Sequence, residues 1–338
     1  MKGIYRVLIS LIFVLAGGAT LATLLGLAGS LWWRFELLDH PRLQYVLILL
    51  IAIGIGLGLR RRWYLIWLCP LAINLALVLP LFFPPLFLPP LFLQWPDLPV
   101  LSKAPFQGAA TIRLLHANID HTKSNVDQAI QALDSQAADI LLLQEVTPDN
   151  LQQLTTQLQH YQLLRAHPQD NSQGSAIFLP VSPRQPLTVK DTQLLHLPER
   201  STRPLLAATL ALGDTEFTVL SLHITRPFHP GPSRFQQIEF EAVADWSRQH
   251  AQQRLIVIGD FNTTPWSSRF RTLLKHSGLS NSQDGWGWQT TWPANLAWPF
   301  QIAIDHCLHS PAIKTQTRTI GPSTGSDHRP LWVELKMA

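Results

Sequence analysis

The chain has 338 residues, 46% of them hydrophobic and only 14% charged, with a formal net charge of +4 and two cysteines. Eight of the 26 Lys and Arg but only three of the 22 Asp and Glu precede Ala104, so the basic excess belongs to the first third and the remainder is close to neutral. These figures exclude a disulfide-stapled scaffold and leave no broad basic footprint for nucleic acid.

From Val7 to Trp33 the chain is apolar without a charge, longer than the roughly 20 residues a helix needs to cross a bilayer. A second apolar run, Tyr45–Leu59, ends on Arg60-Arg61-Arg62, and a third runs from Trp63 to about Leu79. The pattern predicts a helical transmembrane region over 1–79 with spans at 7–33, 45–59 and 63–79. A cleaved leader, the other reading of the first run, fits poorly with its length and with the two runs behind it. Lys2, Arg6 and the triple arginine favour the inner side, which places the rest of the chain outside the inner membrane, in the periplasm, after three crossings. If the second run does not span, that part faces the cytoplasm instead. Prolines repeated through 80–106 forbid a regular helix and predict a stiff stalk, with Trp32, Trp33 and Trp95 as headgroup anchors.

After Pro105 the pattern changes to short strands alternating with amphipathic helices. Strands are predicted at Ile112–Ile119, Asp139–Val146, Ser175–Leu179, Leu205–Leu212, Glu216–Ile224, Leu255–Ile258, Ile302–Asp305 and Leu331–Leu335. A helix is expected from Asn125 to about Ser135 with Ser124 as its cap, and a longer one over Ser233–His250. The tryptophans at 266, 286, 288, 292 and 298 read as packing residues, since no Lys or Arg is interleaved with them as in a base-stacking platform.

Polar residues collect where these strands run out: Asn118, Glu145, His223, Asp260 with Asn262, Asp305, and Asp327 with His328. Each alone has a plain structural reading; Gly259-Asp260-Phe261-Asn262, for instance, is also an ordinary Asx-turn sequence. The set is more specific. Carboxylate and carboxamide oxygens without a Cys/His cluster suit Mg²⁺ or Mn²⁺. A carboxylate near water can orient or deprotonate a nucleophile, and a histidine held by an aspartate can face a phosphoryl transition state. No nucleophile elbow, Walker A loop or dinucleotide fingerprint competes with this chemistry.

Six ordered motifs, Asn118-Ile-Asp120, Leu143-Gln-Glu145, Ser221-Leu-His223, Gly259-Asp-Phe-Asn262, Ile304-Asp-His306 and Gly325-Ser-Asp-His328-Arg-Pro330, resemble the endonuclease/exonuclease/phosphatase superfamily over 107–338. Thr291-Trp292-Pro293 further resembles its membrane-attached bacterial members. The resemblance implies an α/β four-layer sandwich, two mixed β-sheets flanked by helices. It also implies that Glu145, with Asn118 and Asp120 or Asp327, holds the metal. Asp260 would orient or activate water, Asn262 would hold a phosphate oxygen, His328 supported by Asp305 would act on the scissile phosphate, and His223 would contact the phosphate or assist the leaving group. Arg203 and Trp292 are the candidate substrate contacts. His116, where the family often has an aromatic residue near the Asn, is expected to affect packing more than ligation.

The expected function is therefore a membrane-anchored, divalent-metal-dependent phosphoesterase. Nucleic acid, phospholipid and small phosphate esters all stay open as substrates, and no protein partner is implied. A catalytically inactive membrane scaffold that binds a phosphorylated ligand is the competing reading, and it has no need for both Asp260 and the Asp305/His328 pair. A transporter is disfavoured by three spans free of internal charge.

Overall fold

The computed structural model of the chain describes residues 2–60, 62–83 and 110–337. Its first part is a small helical bundle: α1 Lys2–Leu27, α2 Trp33–Leu37, α3 Arg42–Gly58 and α4 Leu68–Val78, the last flanked by 3₁₀ turns at Arg62–Trp67 and Leu79–Leu81. Ile4–Leu27 and Arg62–Leu81 are long and apolar enough to cross a bilayer, while α3 has 17 residues. At about 1.5 Å per residue α3 reaches roughly 26 Å, a little short of the hydrocarbon core. The first apolar run does not stay helical to Trp33. The chain turns after Leu27, and at Gly29 a Cβ would meet Glu36 Oε2 at 2.5 Å, so the turn folds back tightly against α2. Of the expected stalk, residues beyond Phe83 and Trp95 lie outside the described residues.

Phe13 packs against Trp63 and Trp67 at ring-centroid distances of 4.3 and 5.3 Å, while Gly26, a half-helix further on, abuts Asp39 and Arg42. The helices thus run up and down. The end holding Leu27, Arg42 and Leu81 meets the second part of the molecule, and Arg60 and Arg62 lie at the far end. A buried polar chain closes the near end. Arg42 pairs with Asp39 and donates to Asn74 Oδ1 at 2.9 Å, and Asn74 donates to Thr23 Oγ1 at 2.7 Å. These bonds offset part of the cost of burying such groups, although Asp39 Oδ2 and Arg42 Nε have no hydrogen-bond partner.

The second part has two six-stranded mixed sheets. The first contains β1 Thr111–Asn118, β2 Ile140–Gln144, β3 Tyr161–His167 and β4 Ser175–Pro180, and is completed by β11 Ile313–Ile320 and β12 Leu331–Met337. The second contains β5 Leu187–His196, β6 Pro204–Leu212, β7 Thr215–His223, β8 Leu255–Asp260, β9 Ser280–Asn281 and β10 Asp305–His309. Helices α5 Asp127–Asp134 and α6 Pro148–Gln157 cover the first sheet, and α7 Pro230–Gln249 and α8 Ser268–Ser277 cover the second. This is the expected four-layer arrangement. Ile112, Leu114, Leu142, Val219 and Ile258 fill the space between the sheets, while Leu115, Leu141, Leu222 and Val257 face the helices, as the two-residue period of a strand requires.

Each sheet carries one parallel pair, β1 with β2 and β7 with β8, joined through α5 and α7. Their carboxyl ends open on the same side, where such crossovers leave a crevice. Several local expectations change. Ser124 does not cap α5; the helix begins at Asp127, whose N–H is taken by Asn125 Oδ1 at 2.7 Å, an Asx-turn that precedes the helix. The strand expected at Ile302–Asp305 begins at Asp305, because Ile302 is held in an isolated bridge to Trp292. Edge strands β3, β5 and β11, with polar, half-exposed residues, and helices α6 and α8 complete the fold.

Candidate active site

The strand period brings the polar residues together. In β1, His116 and Asn118 share the inter-sheet face of Ile112 and Leu114; in β7, Ser221 and His223 share that of Val219; in β8 and β10, Asp260 and Asp305 share that of Ile258 and Cys307. His223, Asp260 and Asp305 lie side by side across three strands, since Asp260 is in register with both others. Gln144 Nε2 ties the two sheets together by donating to Ser221 Oγ at 2.8 Å. Glu145 departs from the period. Its φ of 63° places it in the left-handed region, which turns the carboxylate back into the crevice rather than toward α5. Gly259 permits the sheet contact itself, because a Cβ there would lie 1.9 Å from Leu222 O.

Asn118 Nδ2 donates to Glu145 Oε1 at 3.0 Å and to Asp260 Oδ2 at 3.3 Å, so one carboxamide links the two carboxylates. Glu145 also receives the backbone N–H of His121 at 3.1 Å, the His121 ring, and Arg226 Nη2 at 3.3 Å. Burial alone would raise its carboxyl, but the nearby His223 and the bonds from His121 and Asn118 bring it down to about 2. Asp260 is the opposite case. Burial pushes it up to about 7, His328 opposing and Asp305 adding to the rise. His328 Nδ1 lies 2.9 Å from Asp305 Oδ2; against the effect of its burial, Asp305 and Asp260 hold the imidazole protonated up to about 9. His223, buried and facing Arg203 and Arg226 as well as Glu145, is lowered to about 3 and stays neutral.

His223 Nε2 and His328 Nε2 approach Asp260 Oδ2 at 3.4 and 3.6 Å, yet neither nitrogen has a hydrogen-bond partner. Arg203, also partly buried, leaves Nη1 unpaired, with Asp260 and Glu145 among the acids acting on it. Buried donors left open around one carboxylate suit an anionic oxygen that enters from outside.

The remaining predicted residues sit at the margin. Asp120, with φ of 63°, accepts from Thr122 N at 3.0 Å and lies beside His121. Asn262 closes the expected Asx-turn, its N–H bonding Asp260 Oδ1 at 2.8 Å, and its carboxamide donates to Ile224 O. Asp327 accepts from Trp292 Nε1 at 2.9 Å. Among the described residues, two groups of acids and histidines have ligand atoms within 4.8 Å of one another: Asp120, His121 and Glu145, and Asp260, Asp305 and His328. Asp327 is in neither. The first group supplies two carboxylates at an open margin, the donor set a hard divalent cation takes, whereas in the second the imidazole is occupied with Asp305.

Sequence reasoning missed four contributors. His116, expected to affect packing, places Nε2 3.0 Å from Asp305 Oδ1, so Asp305 is clasped between two imidazoles and is lowered well below the usual carboxylate range despite its burial. Its even position in β1, shared with Asn118, was the available signal. Thr291 Oγ1 accepts from the N–H groups of Ile304 and Asp305, both at 3.2 Å. His121 and Arg226 reach Glu145 from loops, and only their closeness to strand ends could have marked them.

The family model described as the Endonuclease/Exonuclease/phosphatase family matches residues 115–328. No curated protein sequence matches the chain. Among solved structures, the fold is similar to D. rerio TDP2 complexed with single strand DNA product, at 16% identity and a TM-score of 0.55, covering 67% of this chain and 99% of that one. A Bacteroides thetaiotaomicron endonuclease/exonuclease/phosphatase family protein aligns at 16% identity and a TM-score of 0.55, over 68% and 99% of the two chains. The human Nocturnin catalytic domain with bound sulfate anion aligns at 20% and 0.52, over 69% and 99%. The crevice therefore lies in a phosphoesterase fold and contains acidic groups that could hold a metal. The chain belongs to the endonuclease/exonuclease/phosphatase family.

Proposed function

We propose that the chain is a membrane-embedded, divalent-metal-dependent phosphoesterase, with its membrane part ending near Leu79 and its catalytic part beginning near Gln107. The observation that carries the reading is the pair of unpartnered nitrogens, His223 Nε2 and His328 Nε2, converging on a carboxylate pushed up to about 7. That combination suits a base working near neutrality beside donors kept free for phosphoryl oxygens.

Glu145 and Asp120, with Asn118, would hold Mg²⁺ or Mn²⁺, which when bound neutralises charge on the phosphoryl group. Asp260 takes the proton of the attacking water as its oxygen bonds to phosphorus and the bond to the leaving oxygen breaks. His328, kept cationic by Asp305, donates to a phosphoryl oxygen. His223, neutral, offers a hydrogen bond on the other side, toward the phosphate or the leaving oxygen. Asn262 and Arg203 supply further donors to the phosphate.

Three crossings of the bacterial inner membrane, with the catalytic part outside, fit the bundle. Glu36 accepts from Ser268 Oγ at 2.8 Å and Asp39 O from Trp266 Nε1 at 2.6 Å; past α4, Leu81 O accepts from Gly287 N at 2.6 Å. The connector after α1 and the chain after α4 thus reach the same domain, an arrangement that suits a returning α3 between two outward crossings. The outward faces of the helices are apolar, as at Ile4, Val14 and Ile51, 54–71% exposed, a surface suited to lipid.

The test is hydrolysis of bis-4-nitrophenyl phosphate and 4-nitrophenyl phosphate by the full chain in detergent, with Mg²⁺ and with EDTA. Turnover that needs metal and that Asp260→Asn abolishes is expected. Equal rates with EDTA, or no turnover of either ester, would overturn the reading.

A further inference from the structure

Beside the crevice is a cleft that belongs to neither part of the molecule alone. One wall is catalytic: Asn262, Trp292, and the loop carrying Arg226 and Phe228. The other is Leu37 and His40, from α2 and the connector between the two apolar helices. His40 Nδ1 lies 3.1 Å from Thr264 Oγ1, which fixes that wall to the loop following Asp260 and Asn262. The lining is mainly apolar. Arg226 is the single cation among the described lining residues, and Glu145 already engages it.

The same end of the molecule is rimmed by exposed apolar side chains. Phe228 is 52% exposed, and the loop that continues from Trp292 carries Trp298 and Phe300 at 53% and 68%. That loop is pinned to the first turns of α3, where Gln44 Nε2 donates to the carbonyls of Pro299 and Gln301 at 3.0 and 3.1 Å. Trp298 and Phe300 therefore sit level with the start of an apolar helix, at the depth where aromatic side chains meet a bilayer interface. Trp32, at the start of α2, and Phe83, after the Leu79–Leu81 turn, are exposed as well.

We propose that this shared cleft is the subsite for the apolar part of an amphiphilic phosphoester, a phospholipid-like substrate taken from the surface of the bilayer that holds the bundle. The inference rests on the phosphoesterase reading above. The phosphate sits among His223, His328 and Asn262, and the hydrocarbon nearest to it lies between Leu37 and Phe228 while the rest stays in the membrane. A nucleic-acid strand would instead meet an apolar wall in place of the cationic groove that follows a phosphate backbone.

The test uses the full chain in nanodiscs with methyl and octyl 4-nitrophenyl phosphate and a single-stranded DNA oligonucleotide, read as kcat/KM. The wild-type protein should prefer the octyl ester by about tenfold or more, the effect of burying two or three methylenes. Partitioning into the disc raises the octyl rate for every variant alike, so the decisive readout is the octyl-to-methyl ratio in Leu37→Asn and, since Phe228 is exposed and its truncation spares the core, in Phe228→Ser. A ratio about tenfold below that of the wild type is expected in these variants. An unchanged ratio in both, a wild-type ratio near one, or faster cleavage of DNA than of the octyl ester would overturn the subsite while leaving the phosphoesterase reading intact. Failure of the wild-type protein on all three substrates would overturn both.

Discussion

In the helical bundle the large apolar side chains such as Ile4, Val7, Val14 and Ile51 turn outward, and the groups buried near its catalytic end include Thr23, Asn74, Asp39 and Arg42. The bundle keeps a small apolar core around Leu49 and Trp67, whereas in the sandwich Ile112, Leu142, Val219 and Ile258 fill the interior and the polar residues of the crevice enter it near strand ends. On the proposed membrane embedding, the difference follows from the surroundings of each part, lipid in one case and water in the other. It also shows where the two must be matched. At the joint, Leu43, Leu77 and Leu81 of the bundle pack on Trp266 of the catalytic domain, so an apolar contact and a hydrogen bond to Asp39 O share one indole.

The sharpest way to break the catalytic half of this contrast is at its buried acid. Asp260→Asn should lower kcat by about a thousandfold or more while the unfolding midpoint in detergent stays near that of the wild type, since it removes the proposed base and not the core. The corresponding break in the bundle is Arg42→Ala. It strands Asp39 and Asn74 in a buried site and should cost about 3–5 kcal/mol, seen as a clear fall in the midpoint of thermal unfolding in detergent. His116→Ala, which takes one of the two imidazoles from Asp305, should reduce kcat about tenfold, with KM little changed. At the joint, Trp266→Phe keeps the apolar contact and deletes only the indole N–H bond, and about 1 kcal/mol of stability should be lost.

A pH profile sharpens the picture of the site. His328 is raised from 6.5 to about 9, so its charged form persists through neutrality and is lost only above that value. Turnover should fall as the pH rises through about 9. A flat profile to pH 10 would mean that a protonated His328 is not required.

Much of the sandwich was legible because its central strands carry the period of two and its polar residues come at the strand ends. Asn118, Glu145, His223, Asp260, Asp305 and His328 were all found that way, and the structure gathers them in one crevice. What stayed hidden depends on contacts distant in sequence or on weak local patterns. β5 and β11 are edge strands whose exposed or half-exposed positions carry Lys190, Asp191, Lys314 and Gln316 among threonines, so no hydrophobic alternation announces them. By contrast α8 had clear signals in Ser267, which caps it, and Gly278, left-handed at its end, but the surrounding tryptophans drew the reading toward loops. His116 was visible as a departure from the family pattern, yet only the pairing across 189 residues to Asp305 gives it a polar partner. The role of Leu37 and His40 beside the site could not be read at all, because nothing in an apolar run says which loop will bend back over a crevice.

The division of labour between Glu145 and Asp260 can be measured directly by titrating Mn²⁺ into the full chain in detergent, following the free ion by electron paramagnetic resonance, and assaying the same samples on bis-4-nitrophenyl phosphate. Glu145→Gln should weaken Mn²⁺ binding and turnover together, whereas Asp260→Asn should keep binding and lose turnover. Wild-type turnover in Asp260→Asn, or Mn²⁺ binding unaffected by Glu145→Gln, would contradict a metal-dependent phosphoesterase site built on these two carboxylates.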